Sequence, residues 1–145
     1  MDKKNLHKKL AETIVSKLRD ENFSSYLDAK EHARSITLNE YLSKPKKSGI
    51  DQNLEALQTE RFMFLNGLTE EQLNALDKLI LNLLDNSAFN FLREVEENIC
   101  SQTSIGLTIE NEKVENIQSE FLSGTLFGEY FLWVKEHSKF GTFQN

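Results

Sequence analysis

From Leu68 to Cys100, apolar residues recur every three or four positions with no glycine or proline among them. Leu73, Leu76, Ile80, Leu83 and Leu84 form the first part of the stripe, and Ala88, Phe91, Leu92, Val95 and Ile99 continue it. This is helical periodicity, and the stretch is expected to supply most of the core. Its start is marked twice. Thr69 and Gln72 have the spacing of a capping box, and Leu68 and Leu73 that of a hydrophobic staple. Leu79 and Leu81 widen the stripe until little of the circumference stays polar, which predicts burial on more than one side.

The two halves remain in phase, so one unbroken helix would satisfy the pattern. Its length argues otherwise. About 30 residues at 1.5 Å rise make a rod of about 45 Å, against a diameter of about 38 Å for a single globule of this size. The prediction is a break near Asp85 to Ser87, with Ser87 capping the second half and the two halves antiparallel as a helical hairpin. In that second half Phe91, Leu92 and Val95 turn inward, and Glu94 and Glu97 turn outward.

On the amino-terminal side, Leu10, Ala11, Ile14 and Leu18 gather on one face of a helix over residues 3–20, with His7 on the same face and Lys8 and Arg19 pointing away. Phe23, Tyr26, Leu27 and Ala33 allow a second, less regular helix. Thr37 and Glu40 are spaced as a capping box for a short helix through Leu42. Residues 43–50 hold the only proline, a glycine, two serines and three lysines, and read as a flexible loop. Asp51 can cap the next helix, where Leu54, Leu57, Arg61, Phe64 and Leu65 follow helical spacing, Phe62 and Met63 broaden the surface, and Gly67 is placed for a left-handed cap.

After Cys100 the pattern changes. Ile105, Leu107 and Ile109 alternate with small or polar residues, a short strand signature, whose partner is expected at residues 125–127 or 130–134. Val114, Ile117, Phe121 and Leu122 return to helical spacing. Residues 130–134, Y-F-L-W-V, suit strand and buried helix alike, and a helix is preferred because Gly141 stands where a cap would follow. The fold class expected is mainly α: residues 1–145 as one helical domain bundled around the central hairpin, with room for a short two-stranded β element after residue 104.

Composition changes this picture little. With 39% hydrophobic and 28% charged residues, the 145-residue chain is that of a folded globule. One cysteine, Cys100, permits no internal disulfide and suits a reducing compartment; it is expected as a small buried hydrophobe, having no neighbouring cation. No apolar run has the length of a signal peptide or a membrane span. The expectation is a cytoplasmic protein with no membrane segment.

Charge is unevenly divided. Residues 1–50 hold eleven Lys and Arg against seven Asp and Glu, net +4, and the remainder six against sixteen, net −10, within a total of −6. An acidic field of this kind repels polyanions and steers basic partners. Glu94, Glu97, Glu110 and Glu112 are the candidate contacts of such a partner, although solvated faces are the plainer reading of charge runs. Trp133, in a carboxyl-terminal quarter that also holds Phe121, Phe127, Tyr130, Phe131, Phe140 and Phe143, is a candidate anchor if exposed, and a core residue otherwise.

Catalytic signatures are missing from the sequence. His7, His32 and His137 fit no metal-ligand spacing, Glu110 and Glu112 do not make a calcium loop, and no phosphate loop, dinucleotide fingerprint or nucleophile elbow occurs. No cofactor, no metal and no catalytic residue is therefore predicted. The reading that follows is a non-catalytic protein-interaction domain of the small acidic inhibitor, immunity or adaptor type, with a protein partner. Two alternatives stand beside it. Lys3, Lys4, Lys8, Lys9, Lys44, Lys46 and Lys47 can form a nucleic-acid contact, the less favoured partner since the basic residues make no clean stripe. Glu129, Glu136 and His137 can form a Glu/His catalytic site.

Overall fold

A computed structural model describes residues 3–45, 49, 51–101, 106–114 and 116–142. The chain is mainly helical with one small antiparallel hairpin, as the periodicity predicts. It opens with α1 (Lys3–Ile14), widens into a π-helical turn (Val15–Asp20) and continues as α2 (Glu21–Ser35). Then follow α3 (Leu38–Ser43), α4 (Gln52–Gly67), α5 (Glu70–Cys100), the strands β1 (Thr108–Ile109) and β2 (Glu112–Lys113), α6 (Ile117–Glu120) and α7 (Leu126–His137). These elements divide between two compact units, one of Met1–Phe23 with Ile80–Asn145, the other of Ser24–Leu79.

Capping fixes most of the helix starts. Thr37 and Glu40 make both reciprocal bonds of the capping box, and Asp51 accepts the amide of Asn53 at 2.7 Å. Thr69 and Gln72 close the second box, with N–H to Oε1 at 2.8 Å and N–H to Oγ1 at 3.2 Å. Thr125 accepts the amide of Gly128 at the start of α7. A side chain on Gly128 would come within 2.4 Å of the Thr125 hydroxyl, so this cap requires glycine there. Gly67 differs from expectation: it keeps a right-handed conformation as the last residue of α4, and the extended Leu68 ends the helix.

α5 is the main correction to the hairpin expected between Leu68 and Cys100. It runs unbroken for 31 residues, about 46 Å at helical rise. A helix of this length is not confined to one globule here, because α5 gives its first ten residues to one unit and the rest to the other. Asp85, read as part of the break, instead turns its carboxylate inward to an arginine. Nor is the first half buried all round, since Leu79 and Leu83 are exposed. In the second half Ala88 and Leu92 are buried and Val95 is packed against them, but Phe91 lies at the margin of that arc and is exposed.

In the first unit the core is formed by Leu6, Ala11 and Val15 of the amino-terminal helix, Ala88 and Leu92 of α5, and Leu126, Tyr130, Trp133 and Val134 of α7. Ile109, Val114, Ile117 and Phe121 close it. The strand finds its partner locally, not at residues 125–134: Thr108 pairs with Lys113 and Ile109 with Glu112. Glu110 and Asn111 make the turn with positive φ of 49° and 70°, the two left-handed positions that a two-residue hairpin needs. Ile105 lies outside the described residues. Residues 130–134 are helical, as preferred, whereas Leu122, expected on a helix face, is 91% exposed.

The second unit has a smaller core. Ala33, Phe62, Leu65 and Leu73 are buried, with Tyr26, Ala29, Ile36, Leu38, Tyr41, Leu68 and Leu76 packed against them. Tyr41 stacks flat on Phe62 with centroids 3.9 Å apart, and His32 meets both rings edge-on. Asn66 donates its amide to the carbonyls of Ala33 and Ile36, tying α4 to the end of α2. On the other side of α2, Asp77 accepts from Lys30 at 2.7 Å and from the Tyr26 hydroxyl at 2.6 Å.

Candidate functional site

The most concentrated polar chemistry lies inside the first unit, where sequence reading places none. A π-helical turn carries one more residue per turn than an α-helix, and here Arg19 and its neighbour Asp20 are both buried. At the end of the turn the Asn22 side-chain amide donates to the carbonyls of Lys17 and Leu18. Arg19, expected to point away from the apolar face, is wholly buried. A guanidinium can be buried only when its donors are met, and five contacts meet them. Nε reaches Asp85 Oδ1 at 2.7 Å, one terminal nitrogen reaches Ser138 Oγ at 2.6 Å and Asp20 Oδ1 at 3.5 Å, and the other reaches the Gly141 carbonyl at 2.8 Å and Asp85 Oδ2 at 3.5 Å.

The remaining members close the network. The Tyr130 hydroxyl donates to Asp85 at 2.7 Å, and Asp20 accepts from the Ser138 hydroxyl and the Lys139 amide, both at 2.8 Å. Burial, and then the Asp85 carboxylate, push the Tyr130 phenol far above its ordinary range. Among the described residues no buried side-chain polar atom lacks a partner. A fully satisfied, closed cluster has no group left to meet a substrate, so its effect is structural: it fastens residues 138–141 to the π turn and α5.

The residues predicted as partner contacts are dispersed. Glu94 and Glu97 lie on the exposed side of α5, where Glu97 accepts from Arg93 at 3.1 Å and Glu94 from Asn98. Glu110 and Glu112 are exposed at the β-hairpin, with Glu110 paired to Lys9. Of the four carboxylates, two therefore face a neighbouring cation of the same chain. Trp133 is 6% exposed and packs edge-on against Phe121 within the core; with its ring enclosed, it presents no anchor. Glu96, on the same helix, accepts the Leu126 amide at the start of α7.

The alternative catalytic trio does not converge. Glu129 is buried and accepts the Ser123 amide, the Glu136 side chain is 72% exposed, and the His137 imidazole lies 3.7 Å from Glu136 alone. His7 stacks on Phe121 and faces Glu120 at 3.5 Å. Cys100 is exposed and not buried as expected, because it falls at the carboxyl end of α5. No group of three or more His, Cys, Asp or Glu among the described residues is placed to hold a metal ion. Of the basic residues, Lys8 pairs with Glu12 at 3.8 Å and Lys9 with Glu110, while Lys46, Lys47 and Phe143 lie outside the described residues.

A surface absent from the predicted site is the outer side of α4. Phe62 and Leu65 turn inward, but Leu54, Leu57, Met63 and Phe64 are exposed, the last at 58% and Leu57 at 62%. At about 100° per residue, Leu54, Leu57, Arg61 and Phe64 share an arc of about 80°. The periodicity was visible in the sequence; which side of it would be covered was not. No helix of the described residues is long and apolar enough to cross a membrane. Comparison with protein-family models, curated proteins and solved structures finds no match for the chain.

Proposed function

We propose that this chain is a non-catalytic protein-interaction domain, of the small inhibitor, immunity or adaptor type, which meets a protein partner through the outer side of α4. The observation that supports the reading is the group of large apolar side chains on that helix, Leu54, Leu57, Met63 and Phe64, that are open to solvent. Scattered exposed leucines are ordinary, whereas a contiguous apolar stripe on a folded domain marks an interaction surface. The helix is held from behind by Phe62 and Leu65 and capped by Asp51, so it offers a rigid ridge of the kind that enters a partner's groove. The net charge of −10 after residue 50 favours approach by a basic protein, with Glu94 and Glu112 as the carboxylates not paired to a cation among the described residues.

Cross-linking of the full chain in native lysate at low salt tests the reading. The wild type is expected to give discrete adducts with protein that Leu57→Asp, a substitution at an exposed position, removes while its circular dichroism stays unchanged. Absence of any wild-type adduct, or adducts indifferent to Leu57→Asp, would overturn it.

A further inference from the structure

We infer that Asn66 and Gly67 form a self-modification site, gated by the fold of the second unit, whose conversion releases the end of α4 from α2. The inference goes beyond the interaction reading and does not depend on it. Of the six glycines in the chain, only Gly67 follows an asparagine. That order favours ring closure, because no Cβ shields the glycine nitrogen and glycine reaches the backbone conformations the ring demands. The Gly67 nitrogen attacks Cγ of Asn66, a new C–N bond closes a five-membered succinimide, and the Cγ–Nδ2 bond breaks. Ammonia leaves with the proton lost from the Gly67 amide. Water then opens the ring, at Cγ to give aspartate or at the Asn66 backbone carbonyl to give isoaspartate. The net reaction consumes one water, turns an amide into a carboxylate and releases ammonium, with nothing oxidised or reduced.

Folding withholds both reacting groups. Asn66 Nδ2 donates to the carbonyls of Ala33 at 2.8 Å and Ile36 at 3.2 Å. Both partners only accept, which fixes the orientation of the amide. Gly67 is the last residue of α4 and is right-handed, so its N–H belongs to the hydrogen-bond ladder of the helix. The helical ψ of Asn66 also holds that nitrogen away from Cγ. Reaction therefore waits until the last turn of α4 opens.

The product does not remake the tie. A carboxylate has no proton to donate, and against the carbonyls of Ala33 and Ile36 it sets oxygen against oxygen. Arg34, in the last turn of α2, does not answer the new charge, since it is engaged by Glu70 and the Leu68 carbonyl. A chain that has opened and reacted thus reopens more readily, and the step has no reverse.

Peptide mapping by mass spectrometry of the full chain, aged in mildly alkaline buffer with and without denaturing urea, tests the inference. In urea Asn66 should convert before every other asparagine. In native buffer it should convert at least about tenfold more slowly, because opening must come first. Phe62→Ala, which loosens the core beneath α4, should bring the native rate up toward that in urea and leave the rate in urea unchanged. Gly67→Ala should slow conversion in both conditions and keep the fold, since a Cβ there meets nothing within 4 Å. Wild type converted in urea and returned to native buffer should exchange amides across residues 24–79 about tenfold faster or more, having lost two bonds at a partly buried site, while α7 stays protected. Gly67→Ala taken through the same urea treatment should keep its exchange pattern. Another asparagine leading in urea, equal rates in native buffer and urea, a native rate indifferent to Phe62→Ala, or unchanged exchange in the converted chain would each overturn the inference.

Discussion

Asp85 is the residue on which the first unit most depends. It accepts from Arg19 and Tyr130, both buried, and cutting the carboxylate back would leave a guanidinium in the core without its closest partner. Removing one partner of a buried ion pair costs about 3 to 5 kcal/mol, and Asp85→Ala is expected to lose that much in urea denaturation. Tyr130→Phe removes one hydrogen bond to a charged group and should cost less, about 1.5 to 3 kcal/mol. Equal losses would mean that the pair is not the centre of the network.

The two tyrosines in polar clusters also fix the alkaline limit of stability. Burial and then the Asp77 carboxylate raise the Tyr26 phenol far above its ordinary range, as burial and Asp85 do for Tyr130. In the unfolded chain both ionise near pH 10. Above that pH the unfolded state therefore binds fewer protons than the folded one, so stability falls as pH rises. It is present in full below about pH 10, and a Tyr26→Phe, Tyr130→Phe double variant is expected to flatten the alkaline limb of a denaturation series. Absorbance at the phenolate band should show both groups ionising only as the chain unfolds.

At the scale of elements, α5 separates local signals from their outcome. Its beginning was legible because Thr69 and Gln72 act over three residues and need nothing from elsewhere in the chain. Its continuity through D-N-S was not, because polar residues read as a cap when nothing shows what they face. The sign of one substitution decides between the two. In a continuous helix Ser87→Ala raises stability by about 0.5 kcal/mol through helix propensity, whereas at a cap it would lower it by about 1 kcal/mol. Stabilisation is expected, read from the shift in the urea midpoint. Thr69→Ala should do the opposite, losing about 1 kcal/mol with the box.

The hairpin after residue 107 shows the same limit. Alternation of Leu107 and Ile109 announced a strand, but Glu110 and Asn111 are a weak written signal for a turn with two left-handed residues, compared with Asn-Gly. The partner was therefore sought farther along the chain than β2, where it stands.

At the scale of the molecule, the division into two units assigns each its own core, and the cores differ in size. That of the second unit has four buried apolar residues among the described ones, with Phe62 in contact with both Tyr41 and His32. Truncation of a core phenylalanine costs about 3 to 5 kcal/mol, close to what a small core supplies in total. Phe62→Ala is expected to speed amide exchange across residues 24–79 while α7 stays protected, as hydrogen-exchange mass spectrometry would record. Exchange rising equally in α7 would mean that the chain opens as one cooperative body.

The sequence by itself determined the helical class, the three capped starts at Thr37, Asp51 and Thr69, and the helical state of residues 130–134. Each rests on periodicity or on bonds spanning a few residues, which are written locally. Only the tertiary structure decided that Arg19 lies inside and Phe64 outside. A buried arginine requires an aspartate 66 positions away together with a serine and a carbonyl near the carboxyl end, and the covered side of an amphipathic helix depends on what packs behind it. For α4 that was Tyr41 and Ala33 against Phe62 and Leu65, and the side left over carries Leu57, Glu60, Arg61 and Phe64. Both outcomes depend on distant pairing, which local periodicity does not encode.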